Sequence, residues 1–332
     1  MNYIINLIKI FYKRKGTRKR FKPIFDGEKK GLKLSKQQKI AKKLFNSKVK
    51  KNIYKKEILT CICGRIDDNL IAIVDRYGFK INTVICKNCG LIRTNPYYTQ
   101  NTIEEFYNNE YRIIYDGDFY LNEENFNKKF ESRKSYGKKI LMEISKIQNL
   151  SEINGKIVYD IGCSLGGILA SFQDVGAKCY GCDFNEKYVS YGNSRGLKLF
   201  VGDYKTLLNN GKADIIVINH VLEHIINPIE FLNGIKNILK NDGMLFIAVP
   251  LIENIKRDYK SNLFLYLQNA HVFNYSMLSL KYILECCGFT IILENLNFNC
   301  LILKINLIKR SLDDIDNRCF KQAMQLLNEL IN

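Results

Sequence analysis

Hydrophobic and polar positions follow two different patterns along the chain, and the change falls near residue 155. Beyond it, short apolar runs of strand length alternate with segments whose apolar side chains recur at helical spacing. The runs predict five strands, at residues 156–161, 178–182, 198–201, 214–219 and 244–249. Strands that alternate with helices form a parallel, doubly wound sheet, so we predict an α/β fold.

The helix between the fourth and fifth strands has recognisable ends. Asn227 is placed to cap it, and Pro228 stands at its first position, where a missing N–H costs nothing. Apolar residues between Phe231 and Leu239 give the helix one buried face. The turn at residues 241–243 then leads into the fifth strand.

Two close pairs of cysteines lie ahead of this region. Cys61 and Cys63 form the first pair, Cys86 and Cys89 form the second, and a glycine follows each pair. Four thiolates delivered by two turns can surround Zn²⁺ tetrahedrally, and they leave no coordination position open. We therefore predict a structural zinc site; free thiols and a redox pair are the alternatives.

Charge is distributed unevenly along the chain. Residues 1–60 hold 20 Lys and Arg but three acids, whereas the other 272 residues hold 31 basic and 30 acidic side chains. An apolar stretch at residues 2–12 precedes a basic run at 13–22. This combination is typical of a segment that lies on an anionic membrane surface. A phosphate-binding segment and a solvated extension are the alternatives.

Composition narrows the class of protein. A hydrophobic content of 46% and a charged content of 25% are ordinary for globular proteins and exclude wholesale disorder. No apolar run approaches the length of a membrane-spanning helix. The apolar stretch comes before the basic run, the reverse of a secretory signal. We expect a cytoplasmic protein with reduced thiols, with peripheral contact at the inner face of the membrane as an addition.

Three segments are expected to converge at the carboxyl ends of the strands, where such sheets bind ligands. They are the glycine-rich turn at 162–167, Asp183 at the end of the second strand, and residues 219–224 after the fourth. An acid placed like Asp183 accepts ribose hydroxyls. Asp160, two residues before the turn, repels phosphate and favours a cationic or amino-bearing ligand over a dinucleotide.

The residues resemble a known family. The stretches VYDIGCSLGGILASF, CYGCDFNEKYV, VGDY, ADIIVINHVLEHIINPIEFLNGIKNILKNDGMLFIAVP and HVFNYSMLSLKYILECCGFTI are similar, in order and spacing, to class I S-adenosylmethionine-dependent methyltransferases over residues 155–295. With the cysteine pairs, the chain resembles a bacterial subgroup that has an N-terminal zinc-binding region. That subgroup includes deoxysugar C-methyltransferases and methyltransferases from surface-polysaccharide gene clusters.

The resemblance implies a seven-stranded, mostly parallel, Rossmann-like sheet and a set of cofactor contacts. The implied contacts with S-adenosylmethionine are Gly162 and Gly166 along its amino-acid part, Asp160 near its amino group, Asp183 at the ribose hydroxyls, Asp203 at the adenine amine, and Asn219 with His220 on the methionine side. Ser164 departs from the usual glycine, which is tolerable if its φ is not positive.

Three histidines are candidates for catalysis, because an acceptor hydroxyl or acidic carbon must lose a proton. His271 is the first choice as base, His220 is expected to contact or orient the cofactor, and His224 to brace a helix. In the resembling C-methyltransferases a glutamate precedes the histidine near this position. Here Ala270 does so, which argues against C-methylation.

Tyrosines mark the connector between the two regions. Tyr107, Tyr111 and Tyr115 stand four residues apart and would share one helix face. They would floor a sugar site or pack in the core.

These observations predict an enzyme that methylates a small-molecule acceptor, a free, nucleotide-linked or lipid-linked sugar. The alternatives are an RNA methyltransferase, disfavoured because the excess charge is confined to the N-terminal region, and a silent cofactor-binding protein. The oligomeric state is not predicted. The predicted organisation is a basic region (1–57), a zinc-binding module (58–96), a helical connector (97–150), a methyltransferase domain (151–310) and a C-terminal helix (311–332). We expect residues 1–50 to be dispensable for transfer to a soluble acceptor.

Overall fold

The structure is a computed structural model, and its description covers most of the chain. The described residues are 23–25, 31–117, 124–306, 308–311 and 318–330. The membrane or nucleic-acid role predicted for residues 1–22 lies outside these ranges. Within them, no helix combines the length and the apolar character needed to cross a bilayer.

After residue 155, strands and helices alternate as the sequence pattern predicts, and further elements precede and follow this region. The helices are α1 (Lys36–Lys50), α2 (Gln100–Phe106), α3 (Arg112–Tyr115), α4 (Glu124–Ile144), α5 (Gly167–Gln173), α6 (Glu186–Ser194), α7 (Pro228–Ile238), α8 (Ile255–Asp258), α9 (Leu263–Tyr266), α10 (Met277–Cys286) and α11 (Arg318–Asn328). The strands are β1 (Lys56–Glu57), β2 (Asp68–Val74), β3 (Lys80–Cys86), β4 (Ile92–Thr94), β5 (Tyr97–Tyr98), β6 (Ile157–Ile161), β7 (Lys178–Asp183), β8 (Leu199–Val201), β9 (Ala213–Asn219), β10 (Leu239–Ala248), β11 (Phe273–Asn274), β12 (Phe289–Asn295) and β13 (Cys300–Ile305).

The large sheet has seven strands in the order β12-β13-β10-β9-β6-β7-β8. The five strands from β10 to β8 run parallel, and β13 is antiparallel to both β10 and β12. Helices cover both faces, so central residues such as Tyr159 and Ile216 are fully buried. The predicted α/β fold with a mostly parallel, doubly wound sheet is confirmed.

Strand β10 differs from the prediction at its start. It begins at Leu239, which pairs with Ala213, and a register irregularity follows before Met244 lies opposite Ile215. The predicted turn at residues 241–243 is this irregularity inside the strand. Helix α7 does begin at Pro228, but the side chain of Asn227 makes no capping hydrogen bond.

Residues 58–96, called the cysteine module below, share their sheet with the C-terminal half of the chain. The sheet order is β11-β4-β3-β2, and Phe273 of β11 lies opposite Arg93 of β4. Helix α11 packs closely on the module, because a Cβ atom on Gly90 would lie 2.5 Å from the backbone of Cys319. The module is therefore built into the body of the protein.

Helix α1 belongs to the same body. Ser35 and Gln38 form a capping box at its start. The buried ring of Phe45 packs against four aromatic rings, with centroids 4.9–5.3 Å away, from Tyr54, Phe79, Tyr98 and Phe106. Truncating such a ring typically costs about 3–5 kcal/mol. The buried position of Phe45 counts against the expectation that residues 1–50 are dispensable for methyl transfer, which stays a prediction for a deletion experiment.

Candidate functional site

A cleft of about 2130 Å³ opens at the carboxyl ends of β6, β7 and β9. Parallel strands bring their carboxyl ends to one edge of the sheet, so side chains that follow them gather there. The lining also includes the connector helices and residues 57–60, at the start of the cysteine module. Sites for drug-sized ligands have about 300–1,000 Å³. The cleft therefore has room for a cofactor and a second molecule.

The turn after β6 brings backbone to the wall of the cleft. Gly162 has φ 73°, and a Cβ atom there would lie 2.5 Å from Val221. Only glycine fits this position without strain. Gly166, with φ 81°, lies beneath the turn, where a Cβ atom would meet Leu197 at 2.4 Å. Gly162 thus lines the cleft, and Gly166 allows the helix that follows to pack closely.

Asp160 is a buried carboxylate below this turn. It is 1% exposed, and its Oδ2 has no hydrogen-bond partner among the described residues. Burial, with the nearby charge of Asp183, raises its pKa well above the ordinary value. A cationic amino group beside Asp160 would satisfy the orphaned oxygen and favour its charged form. The methionine part of S-adenosylmethionine carries such a group, so the residue fits the predicted cofactor.

Asp183 holds the turn in place and faces the cleft. Its Oδ2 accepts a hydrogen bond from the N–H of Ser164 at 2.9 Å, and its Oδ1 accepts one from Asn185 at 2.8 Å. Ser164 has φ 53°, a left-handed conformation that costs about 1–2 kcal/mol for a residue with a side chain. Serine in place of the usual glycine was expected to be tolerable if its φ is not positive, and this condition is not met. The hydrogen bond to Asp183 offsets part of the cost.

Two further predicted cofactor contacts also line the cleft. Asn219 ends β9, and its Oδ1 is buried without a partner among the described residues. Asp203 begins a 3₁₀ turn and accepts a hydrogen bond from the N–H of Lys205 at 2.9 Å. Its side chain is 41% exposed. The structure therefore brings Gly162, Asp183, Asp203 and Asn219 to the wall of the cleft. Two other predicted contacts, Asp160 and Gly166, are buried behind it.

The three histidines gather around a glutamate in the cleft. Glu223 is 1% exposed, and neither of its carboxylate oxygens has a hydrogen-bond partner among the described residues. Its Oε1 lies 3.4 Å from Nδ1 of His220 and 4.0 Å from Nε2 of His224. The rings of His224 and His271 are 4.8 Å apart. A buried carboxylate without hydrogen bonds is costly, which marks a functional position.

The histidines differ in exposure to the cleft. The side chain of His220 is 40% exposed, and its backbone has φ 57°. His224 and His271 are enclosed, and burial lowers the pKa of both, most strongly for His271. Nδ1 of His224 lies 3.1 Å from the carbonyl of Ala270, and its Nε2 is on the side of Glu223.

The connector places the three predicted tyrosines in a stack. Residues Tyr107–Tyr111 form a π-helical turn between α2 and α3, a feature frequent at functional sites. Ring centroids are 4.3 Å apart between Tyr107 and Tyr111 and 4.5 Å between Tyr111 and Tyr115. The hydroxyl of Tyr107 lies 2.8 Å from Nδ1 of His224. The stack lines the cleft beside the histidines.

Sequence reasoning missed two residues of the site. Glu223 stands three positions after His220 and next to His224. This spacing in the segment after the fourth predicted strand already indicates an acid that could orient an imidazole. The sequence around Arg112 contains no motif that indicates a functional role. Its Nη2 lies 3.6 Å from Oδ1 of Asp183, and its Nη1 lies 3.3 Å from Oδ2 of Asp116. Arg112 therefore ties the connector to the acid predicted to bind ribose.

Two groups of side chains have the spacing of metal ligands. The sulfur atoms of the four predicted cysteines all lie within 4.8 Å of one another, at 3.4 Å for Cys61 and Cys89 and 3.6 Å for Cys63 and Cys86. A Zn–S distance of about 2.3 Å in a tetrahedron separates sulfurs by about 3.8 Å, so the set fits zinc. The second group is Glu223, His224 and His271.

The seven-stranded, mostly parallel sheet has the fold of class I methyltransferases. Residues 133–294, just under half of the chain, match the family described as a methyltransferase domain. The predicted enzyme class, a methyltransferase that uses S-adenosylmethionine, is confirmed for this domain.

Individual relatives have different acceptors in their names. The chain is 24% identical to the C-methyltransferase NovU of Streptomyces niveus over 153 residues, which are 44% of this chain and 36% of that protein. It is 36% identical to the ubiquinone biosynthesis O-methyltransferase of Glaesserella parasuis serovar 5 (strain SH0165) over 107 residues, 28% of this chain and 45% of the relative. The chain thus spans less than half the length of both relatives.

Among solved structures, a magnesium protoporphyrin IX methyltransferase from Synechocystis PCC 6803 with bound SAH is similar. It is 17% identical, with a TM-score of 0.44, over 63% of this chain and all of that chain.

Replacing Asp183 with alanine is expected to weaken S-adenosylmethionine binding by about 1.5–3 kcal/mol, the worth of hydrogen bonds to a charged group. The variant loses the predicted ribose acceptor and the hydrogen bond that supports Ser164. Titration calorimetry measures the change, and Asp203→Ala is the matched control. Because the side chain of Asp203 is 41% exposed, its replacement should weaken binding less than the replacement of Asp183 does. Equal affinities for wild-type protein and Asp183→Ala would remove Asp183 from the cofactor site.

Proposed function

We propose that the protein transfers a methyl group to a sugar, free or linked to a nucleotide or lipid, with His220 as the base that takes the acceptor's proton. S-adenosylmethionine, when bound, supplies an electrophilic methyl group. Asp160, Asp183, Asp203 and Asn219 would hold it at the strand ends. The chain's own chemical contribution is then to position the acceptor and to remove its proton.

The observation that carries this proposal is the pairing of His220 with Glu223. His220 is half-exposed at the cofactor edge of the cleft, and Glu223 lies 3.4 Å from its Nδ1. Catalytic hydrogen bonds are often long before substrate binds. A carboxylate at Nδ1 fixes the orientation of the ring and leaves Nε2 to accept a proton. His271 is more enclosed than His220 and is therefore the second choice.

Glu223 also changes the argument about the methylated atom. Ala270 removes the acid next to His271 in the sequence, and this counted against deprotonation of a carbon. In the fold Glu223 stands beside His220 and His224, so an acid that orients an imidazole is present. Methylation at oxygen and at an acidic carbon are both compatible with this base, and analysis of the product distinguishes them.

A sugar suits the acceptor side of the cleft. Aromatic faces such as those of Tyr107, Tyr111 and Tyr115 pack against the C–H surfaces of a sugar ring. Hydroxyl groups of a sugar are donors, and the buried oxygens of Glu223, which lines the cleft, need hydrogen-bond partners. The volume beyond the cofactor residues accommodates a sugar with an attached group.

Labelled S-adenosylmethionine tests the proposal directly. We expect purified full-length protein to transfer label to nucleotide-sugars or glycolipids, and His220→Ala protein to lose this transfer. NMR of the product then gives the methylated atom. Label found in RNA would contradict the sugar acceptor, and tight cofactor binding without any transfer would identify a silent binding protein.

RNA is the less favoured acceptor because the cysteine module presents few cations for phosphate contacts. Of its basic residues, Arg93 is fully buried and Arg76 lines the cleft. Lys87 pairs with Asp67 at 2.8 Å. Phosphate contacts supply much of the affinity in nucleic-acid binding, so a surface poor in unpaired cations disfavours this partner.

We also propose that Cys61, Cys63, Cys86 and Cys89 hold a structural zinc ion. Both pairs sit on similar turns, because the N–H of Gly64 donates to the carbonyl of Cys61 and that of Gly90 to the carbonyl of Cys86. Positive φ angles of 77° and 69° at these glycines turn the chain back. A fully buried arginine, Arg93, interacts electrostatically with Cys61 and would offset the negative charge of four thiolates.

A further inference from the structure

The outer face of helix α1 carries exposed apolar side chains among lysines. Ile40 is 53% exposed and Leu44 is 51% exposed, and residues at this spacing are neighbours on a helix surface. Ala41 and Phe45, on the adjacent face of the helix, are buried in the protein. The helix therefore packs one apolar face against the core and exposes a second, smaller apolar face to solvent.

The charged residues of the segment that carries this face are all lysines. Residues 31–56 contain ten lysines and no acid. Three of the ten are held by the protein: Lys48 pairs with Glu110, Lys42 donates to the carbonyl of Tyr77, and Lys56 lies over the ring of Tyr98. The other seven are exposed, and none forms a salt bridge with a described residue: Lys33, Lys36, Lys39, Lys43, Lys50, Lys51 and Lys55.

We infer that this face of α1 docks on an anionic lipid surface. Lysines are attracted to the negative charge of such a surface, and the apolar side chains beside them enter the interfacial layer. Nucleic acid would use aromatic side chains for stacking, whereas this face offers Ile40 and Leu44. A second copy of the chain would bring like charges together.

The docking face adjoins the site without being part of it. A groove of about 480 Å³ runs beside α1, and Arg76 lines both this groove and the large cleft. A docked protein would thus hold one wall of the cleft near the membrane. The inference concerns residues 31–56 and does not depend on the identity of the acceptor.

The chain has no tryptophan, so a single substitution gives a local fluorescent probe. In full-length Leu44→Trp protein, we expect emission to move to shorter wavelength with phosphatidylglycerol vesicles and to be quenched by brominated lipid. Vesicles of phosphatidylcholine alone should have no effect. The matched control is Met142→Trp, because Met142 is 65% exposed on helix α4. Its emission should not change.

Charge is tested by replacing Lys36, Lys39 and Lys43 with glutamine in the Leu44→Trp protein. Loss of three cations should weaken vesicle binding by about 100-fold. Three results would overturn the inference. They are an unchanged Leu44→Trp spectrum with anionic vesicles, a spectrum that responds to RNA instead, and one that changes with protein concentration alone.

Discussion

Replacing both Cys86 and Cys89 with serine is expected to remove about one zinc ion per chain and to unfold the cysteine module. Structural zinc contributes about 10–16 kcal/mol in zinc-finger peptides, as much as or more than the ~5–15 kcal/mol stability of a typical domain. Two thiolates cannot hold the metal in tetrahedral geometry. Elemental analysis and thermal denaturation of the purified variant measure both effects.

Unfolding of the cysteine module should also disturb the cleft. Strand β11 pairs with β4 of the module and begins two residues after His271. The turn that carries His271 is thus anchored on the sheet of the cysteine module, which the proposed zinc ion would stabilise. The proposed cofactor contacts lie at the edge of the large sheet. The control is Cys286→Ser, because Cys286 lies on α10 outside the module. Folded wild-type protein without metal, or a double variant that keeps its metal, would contradict the zinc site.

Replacing His220 with alanine is expected to lower turnover by about 10²–10⁴-fold, the usual contribution of a positioned base. That range corresponds to about 3–5.5 kcal/mol of activation free energy. Affinity for S-adenosylmethionine should stay within about threefold, or ~0.65 kcal/mol, because the acidic cofactor contacts remain. Single-turnover kinetics and calorimetry separate the two quantities. A larger loss in His271→Ala than in His220→Ala would move the base to His271.

Glu223 is tested as the residue that positions His220. Glu223→Gln keeps the shape of the side chain but removes its charge, so kcat should fall while KM and cofactor affinity change little. Because the carboxylate is buried without hydrogen bonds, its neutralisation should not lower the melting temperature. Glu223→Asp keeps the charge and should recover part of kcat. A falling melting temperature with unchanged kcat would instead indicate a purely structural role.

Much of this arrangement could be predicted because its signals are local. The apolar runs predicted β6, β7 and β9, since hydrophobic periodicity depends on neighbouring residues. Asp160 and Asp183 could be placed together because parallel strands end at one edge of the sheet. The spacing of the cysteine pairs, each followed by glycine, predicted the turns that gather four sulfur atoms.

Only the tertiary structure decided which groups are buried and what they face. The sequence alone determined which polar and titratable side chains follow which strand. The burial of Glu223, by contrast, depends on the chain from residue 270 onwards, where the N–H of Val272 donates a hydrogen bond to the backbone carbonyl of Glu223. The contact of Arg112 with Asp183 and the packing of Phe45 join segments far apart in sequence. Such contacts arise from how whole elements pack, and a local pattern of polar and apolar residues carries no information about them.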